Sequence, residues 1–168
     1  MDKESHAKLN MFVIRGIVIN ECIVIERQID DAISAYFSID SQRESDLKEF
    51  FLATEFITFD YKLQVLRVIV NKRLKVNEDY TKELFPLLEE IMPIRNKFAH
   101  YETDTIENIL SRTENGIALV SYRRKKRDVI WYGEKQIEKL QLDFTKVKQF
   151  LLLVYAVCSS QNQPPAED

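Results

Sequence analysis

The sequence predicts an all-α protein: an up-and-down helical bundle with one inserted β-hairpin near residues 116–133. Three observations carry this prediction. Apolar residues make up 45% of the chain and only 3 of 168 residues are glycine, a composition that favours packed helices over a glycine-punctuated β fold. Long stretches place apolar side chains at helical spacing without a breaker. One stretch alone changes period, to β-branched and aromatic runs around a polar centre. The length suits a single domain over residues 1–160, with a polar, disordered tail at residues 161–168 that carries Pro164-Pro165.

From about residue 8 to 37, Phe12, Val13, Gly16, Ile17, Asn20, Ile23, Val24, Arg27 and Ala32 recur at helical spacing. The many Ile and Val residues make a strand thinkable for 17–25, but Glu26 to Ala35 continues unbroken, so one long helix is expected. Residues 38–45 read as a polar loop. Ser45 or Asp46 is placed to cap a helix over Leu47 to Ala53, and Thr58 or Asp60 to open the next. That next helix aligns Leu63, Leu66, Val70 and Leu74. Asn77 and Asp79 mark a turn and a cap. A helix from about Tyr80 to Ala99 or Tyr101 follows, with Leu84, Leu87, Leu88, Ile91, Ile94 and Phe98 as its stripe.

Two prolines interrupt that helix. Pro86 fits a first turn or a break, and Pro93 predicts a kink or a fresh start. A start at Pro93 would place Arg95 and Asn96 by free backbone N–H groups, which favour anions. Ile117 to Tyr122 and Val129 to Tyr132 then read as the hairpin strands. Residues 134–158 return to helix, with Leu140, Phe144, Val147, Leu151 and Val154 inward.

Composition narrows the function. The net charge is −3, so any nucleic-acid site must be a local patch. Cys22 and Cys158 lie far apart inside apolar helical patterns and read as buried free thiols of a reducing compartment, with no ligand spacing for a metal. No metal and no cofactor are expected. The N-terminal residues carry no signal-peptide core, and the run Phe150 to Val157 is far short of the ~20 residues that span a bilayer. The expectation is a cytoplasmic protein without membrane contact.

The chemistry concentrates in Arg95-Asn96-Lys97-Phe98-Ala99-His100-Tyr101. Arg offers a permanent charged fork to phosphate oxygens. Asn donates to the same oxygens, and His takes or gives a proton near neutral pH. A helix puts Asn96 and His100 on one face. Arg95 and His100 are offset by about 140° at roughly 100° per residue, so one helix does not aim both at one point.

This run resembles the R-x4-H motif of the HEPN superfamily in its form R-N-x-x-A-H. The long first helix, the segment Phe59-Asp60-Tyr61-Lys62-Leu63 opening another and the final apolar helix resemble that superfamily's all-α bundle, over about residues 8 to 160. The resemblance implies a metal-independent endoribonuclease in a defence or toxin–antitoxin setting, working as a homodimer whose two copies share the site. An antitoxin or regulatory protein is the partner it implies. His100 would act as general base or acid, Arg95 would stabilise the developing phosphorane charge, and Asn96 would orient phosphate or His100. Products would be a 2′,3′-cyclic phosphate and a 5′-OH. Some members carry a tyrosine two residues after the histidine as a modification target. Here that place is Glu102, a departure from the subtype, and it sets a carboxylate near a phosphate site. Asn20 and Glu26 are candidates for the polar first-helix residue that faces the motif in such proteins.

Each candidate has a plainer alternative. His100 also fits a helix-closing residue bonded to local backbone, in which case the chain is a non-catalytic HEPN-like binding or dimerisation module. The five cations Arg123, Arg124, Lys125, Lys126 and Arg127 fit an RNA backbone grip with Tyr122, Trp131 and Tyr132 nearby, or a solvated tip that protects an edge strand. Glu26 and Asp30 share a face and fit a hard-cation site or a solvated surface.

Overall fold

The computed structural model describes residues 2–38, 40–54, 56–74, 78–105, 108, 116–123 and 126–161. These are mostly helical, with a small three-stranded antiparallel sheet. Helix α1 spans Lys3–Phe37, α2 Ser41–Leu47, α3 Phe59–Val68, α4 Glu78–His100 and α5 Glu134–Gln161. Strands β1 (Glu102–Thr103), β2 (Gly116–Arg123) and β3 (Lys126–Gly133) lie in the order β1-β2-β3.

Local chemistry sets several boundaries. The Asp2 carboxylate accepts the Ser5 N–H at 2.7 Å, which starts α1 five residues earlier than its apolar pattern suggests. Asp40, not Ser45 or Asp46, caps α2: its Oδ1 accepts the Arg43 N–H at 2.8 Å. Thr58 caps α3 as its sequence position predicts, accepting the Tyr61 N–H. Helices α2 and α3 each run on into a π-helical turn, Lys48–Leu52 and Ile69–Leu74. Asn77 lies outside the described residues, and α4 begins at Glu78.

Helix α4 is continuous through Pro86 and Pro93, so neither the break nor the fresh start occurs. Each proline withholds one i→i−4 bond. Both rings lie on the exposed side, where water can serve the carbonyls left over. Arg95 and Asn96 therefore sit in the last two turns of a helix and have no free helix-start N–H groups beside them.

The chain forms two compact units. Unit 1 comprises Met1–Cys22 and Ile91–Phe144; unit 2 comprises Ile23–Glu90 and Thr145–Asp168. Unit 1 contains the sheet. Five consecutive residues of β2, Ile117 to Ser121, are buried, so both faces of this strand are covered. The register pairs Gly116 with Gly133 and Arg123 with Lys126. A side chain at Gly116 would run into the Tyr132 carbonyl and reach 2.7 Å from the Trp131 ring, so the paired glycines let the strands approach. Strand β1 has no counterpart among the elements expected from the sequence. It pairs Glu102 with Val120 and Thr103 with Leu119, too short to show as a sequence pattern.

Unit 2 packs Ile25, Ile29, Ala32, Ile33, Leu63, Leu66, Leu84, Leu88, Val147, Phe150 and Leu151. The Phe85 and Phe150 rings meet edge-on at 6.2 Å, and Arg67 lies 4.8 Å from the Phe85 centroid while pairing with Glu89. Lys62 is buried, and its ammonium lies 2.9 Å from Asp30 and 3.4 Å from Glu26. The two carboxylates that share a face thus hold a lysine. Burial pushes the Asp30 carboxyl above its ordinary range, against the pull of Lys62.

The stripe read for α1 is not its buried face. Met11, Val18, Cys22, Ile25, Ile29, Ala32 and Ile33 are buried, whereas Phe12 is 67% and Val13 48% exposed. Of the recurring residues named from sequence, only Ala32 is in the core. The helix is apolar on more than one side, so its period alone does not say which side packs. Both cysteines are free and buried, and burial pushes each thiol up to about 11. Among the described residues, no helix is long and apolar enough to cross a membrane.

Candidate functional site

The motif occupies the C-terminal end of α4, in unit 1. Phe98 anchors it: the ring is fully buried, 4.9 Å from that of Tyr132 on β3. His100 is the last helical residue and is exposed. Asn96 is exposed one turn earlier, so the two present one polar face to solvent. The chain then turns at once into β1.

Arg95 behaves differently. It is half-buried, and its Nη1 lies 3.9 Å from Met92 Sδ, one turn toward the helix start. Its charge reaches Cys22 of α1, where it opposes the effect of burial on that thiol. The side chain therefore runs back along α4, as helical side chains tend to, and away from the His100 end. Within one chain the contact that Arg95 makes is with Met92, toward the helix start.

A residue that sequence reading passed over does sit at the His100 end. Arg15 of α1 directs Nη2 to the Ala99 carbonyl at 3.1 Å and to the Tyr101 carbonyl at 2.7 Å. No signal in the sequence marked it, because it lies 84 and 86 residues from those partners.

The basic tip is divided. Arg124 and Lys125 lie outside the described residues, and Arg123 is placed by its backbone alone, as the β2 residue opposite Lys126. Lys126 is exposed. Arg127 pairs with the buried Asp104, which follows β1. Asp104 also accepts the Thr105 N–H at 2.8 Å and the Asn108 amide at 3.2 Å. Burial pushes its carboxyl up, but the bonds from Asn108, Thr105 and Arg127 outweigh that and hold it below its ordinary range. Arg127 thus ties β3 to the segment leaving the motif while its side chain stays partly exposed. Of the rings beside the tip, Tyr122 is exposed, while Trp131 and Tyr132 are half-buried.

Glu26, a candidate first-helix partner of the motif, belongs to unit 2 and is engaged by Lys62. Asn20 is exposed in unit 1. Among the described residues no group of three or more His, Cys, Asp or Glu is arranged to hold a metal ion. Unit 2 carries an open apolar groove of about 400 Å³ lined by Tyr36, Phe37, Tyr61, Val65, Val68 and Ile69, with no acid, base or nucleophile of the motif's kind in it.

No family model matches the chain, and neither a curated protein nor a solved structure matches it.

Proposed function

We propose that this chain is a metal-independent endoribonuclease of HEPN type, built on an up-and-down helical bundle and working as a homodimer. The observation that carries the reading is the placement of Arg95-Asn96-x-x-Ala99-His100: an exposed His100 closing α4, with Asn96 on the same exposed face. In this reading His100 takes the proton of the ribose 2′-OH, and the 2′-oxygen attacks phosphorus. The bond to the 5′-oxygen breaks and that oxygen takes up the proton that His100 has acquired, giving a 2′,3′-cyclic phosphate and a 5′-OH. An arginine must meet the charge that builds on the phosphorane oxygens. Since Arg95 turns back toward Met92 in its own chain, the reading assigns that task to Arg95 of a second copy. A bacterial defence or toxin–antitoxin setting, a cytoplasmic location and an antitoxin or regulatory partner belong to the same proposal.

A second reading, a non-catalytic HEPN-like module, is favoured by the engagement of Arg127 with Asp104 and by the exposed Glu102 close to His100. The experiment that separates them is cleavage of varied RNAs by purified protein in EDTA, beside His100→Ala and Arg95→Ala. The nuclease reading expects cyclic phosphate ends from the parent, and rates lower by about 10²–10⁴-fold in His100→Ala. Well-folded parent protein that cleaves no RNA supports the module.

A further inference from the structure

We infer that Arg15 is the positioning residue of His100. The inference builds on the reading of His100 as the proton-transfer group, but the geometry it concerns does not depend on RNA. The last carbonyls of a helix lack i+4 donors, and the residues past its end lack the helix's restraint. Here the Tyr101 N–H still closes on the Lys97 carbonyl at 3.0 Å. The Ala99 carbonyl would need the N–H of Thr103, which has already entered β1. Arg15 supplies the missing donor. Its Nη2 bonds the carbonyl before His100 and the carbonyl after it, at 3.1 and 2.7 Å. One nitrogen of a permanently charged group thus holds the backbone on both sides of the histidine, at the negative end of the helix where a cation is favoured.

The neighbouring restraints act on either side of this point. Phe98 is held by the core, and Glu102 to Asp104 by pairing with β2, including the Asp104 N–H to the Ala118 carbonyl at 3.0 Å. Between them, Arg15 adds a side-chain tie from α1 to the backbone bonds of residues 99 to 101. Because the two acceptors flank His100, a swing of its Cα works against two charge-assisted bonds. A displacement on the order of 1 Å at a catalytic group can cost about 10²-fold in rate. Arg15 is also half-buried, so part of its stem is covered while its head reaches the two carbonyls.

The test uses the full chain with Arg15→Met, which keeps the apolar stem and removes the donors, and Arg15→Lys, which restores a cationic donor. Two readouts are independent of cleavage. The chain has two histidines, so a His6→Gln background leaves His100 as the sole imidazole signal in NMR. Arg15→Met is expected to broaden or split that signal while core methyl signals stay in place, and Arg15→Lys to restore a single line. In the parent, the two Nη2 hydrogens of Arg15 are expected as a resolved pair in slow rotation; this readout needs no variant to fold. Where the parent cleaves RNA, kcat is expected to fall about 10–100-fold in Arg15→Met with KM within about twofold, and Arg15→Lys to recover most of it. An unchanged His100 line in folded Arg15→Met, or a freely rotating Arg15 guanidinium in the parent, overturns the inference. A parent that cleaves nothing overturns the nuclease reading and leaves the NMR result to decide Arg15.

Discussion

Lys62→Met removes one charge from the interior of unit 2 and keeps the volume of its stem. The ammonium lies 2.9 Å from Asp30 and 3.4 Å from Glu26, with the lysine side chain 4% exposed. At an effective dielectric of about 20, those separations correspond to gross attractions of roughly 6 and 5 kcal/mol. Desolvating three charges costs several kcal/mol per ion, so the intact cluster stands near break-even. Taking away Lys62 alone is different: two partly buried carboxylates lose their cation and are left facing each other. The expected loss is about 3–5 kcal/mol at pH 7, measured by urea unfolding with circular dichroism.

The pH dependence gives a sharper check. The Asp30 carboxyl is raised above its unfolded value, so the folded state binds the extra proton. That contribution is fully present below the unfolded value near 4 and is lost as pH rises through the raised one. Without Lys62, Asp30 stays protonated to higher pH, and the loss is expected to be smaller at pH 5 than at pH 7. Lys62→Met with Asp30→Asn and Glu26→Gln is expected to return within about 1 kcal/mol of the parent. A Lys62→Met variant within 1 kcal/mol of the parent at pH 7, or a loss equal at the two pH values, refutes the reasoning.

Pro93→Ala restores an N–H to an exposed face of α4 and is expected to stabilise the protein by about 1–3 kcal/mol in the same assay; a loss would mean the ring itself packs. Asp104→Asn weakens the bonds to Thr105, Asn108 and Arg127 and is expected to cost roughly 1.5–3 kcal/mol at pH 7. Because the Asp104 carboxyl is held low, its contribution is present above the ordinary value near 4 and is lost as pH falls through the lowered one. The gap between parent and Asp104→Asn measured by thermal unfolding should therefore close at acid pH, and a gap constant down to pH 2 would count against it.

Much of the fold was legible along the chain. Thr58 declares the start of α3 because a hydroxyl there meets the third N–H of the helix, a purely local bond. The stripes ending in Phe98 and in Val154 include the buried residues Leu84, Leu88, Ile91 and Phe98 of α4 and Phe144, Val147, Leu151 and Val154 of α5. The hairpin showed as a change of period and paired within a few residues of the expected ends. The break that Pro86 offered and the fresh start that Pro93 offered do not occur, for a physical reason. The cost of the prolines is a few kcal/mol, and burial of Leu84, Phe85, Leu88, Ile91 and Phe98 on the same helix exceeds it.

The candidate site divides along the same line. Sequence alone placed Asn96 and His100 on one face at the end of a helix, and the offset of Arg95 follows from the helical repeat, which is a property of the backbone. Tertiary structure decided the rest: which side of α1 is buried, that Glu26 and Asp30 hold a lysine, that Asp104 takes Arg127, and that Arg15 grips the backbone around His100. Those partners lie between 23 and 86 residues apart. No local pattern records them, because a long-range ion pair depends on which faces pack, and a helix apolar on more than one side leaves that choice to the whole core.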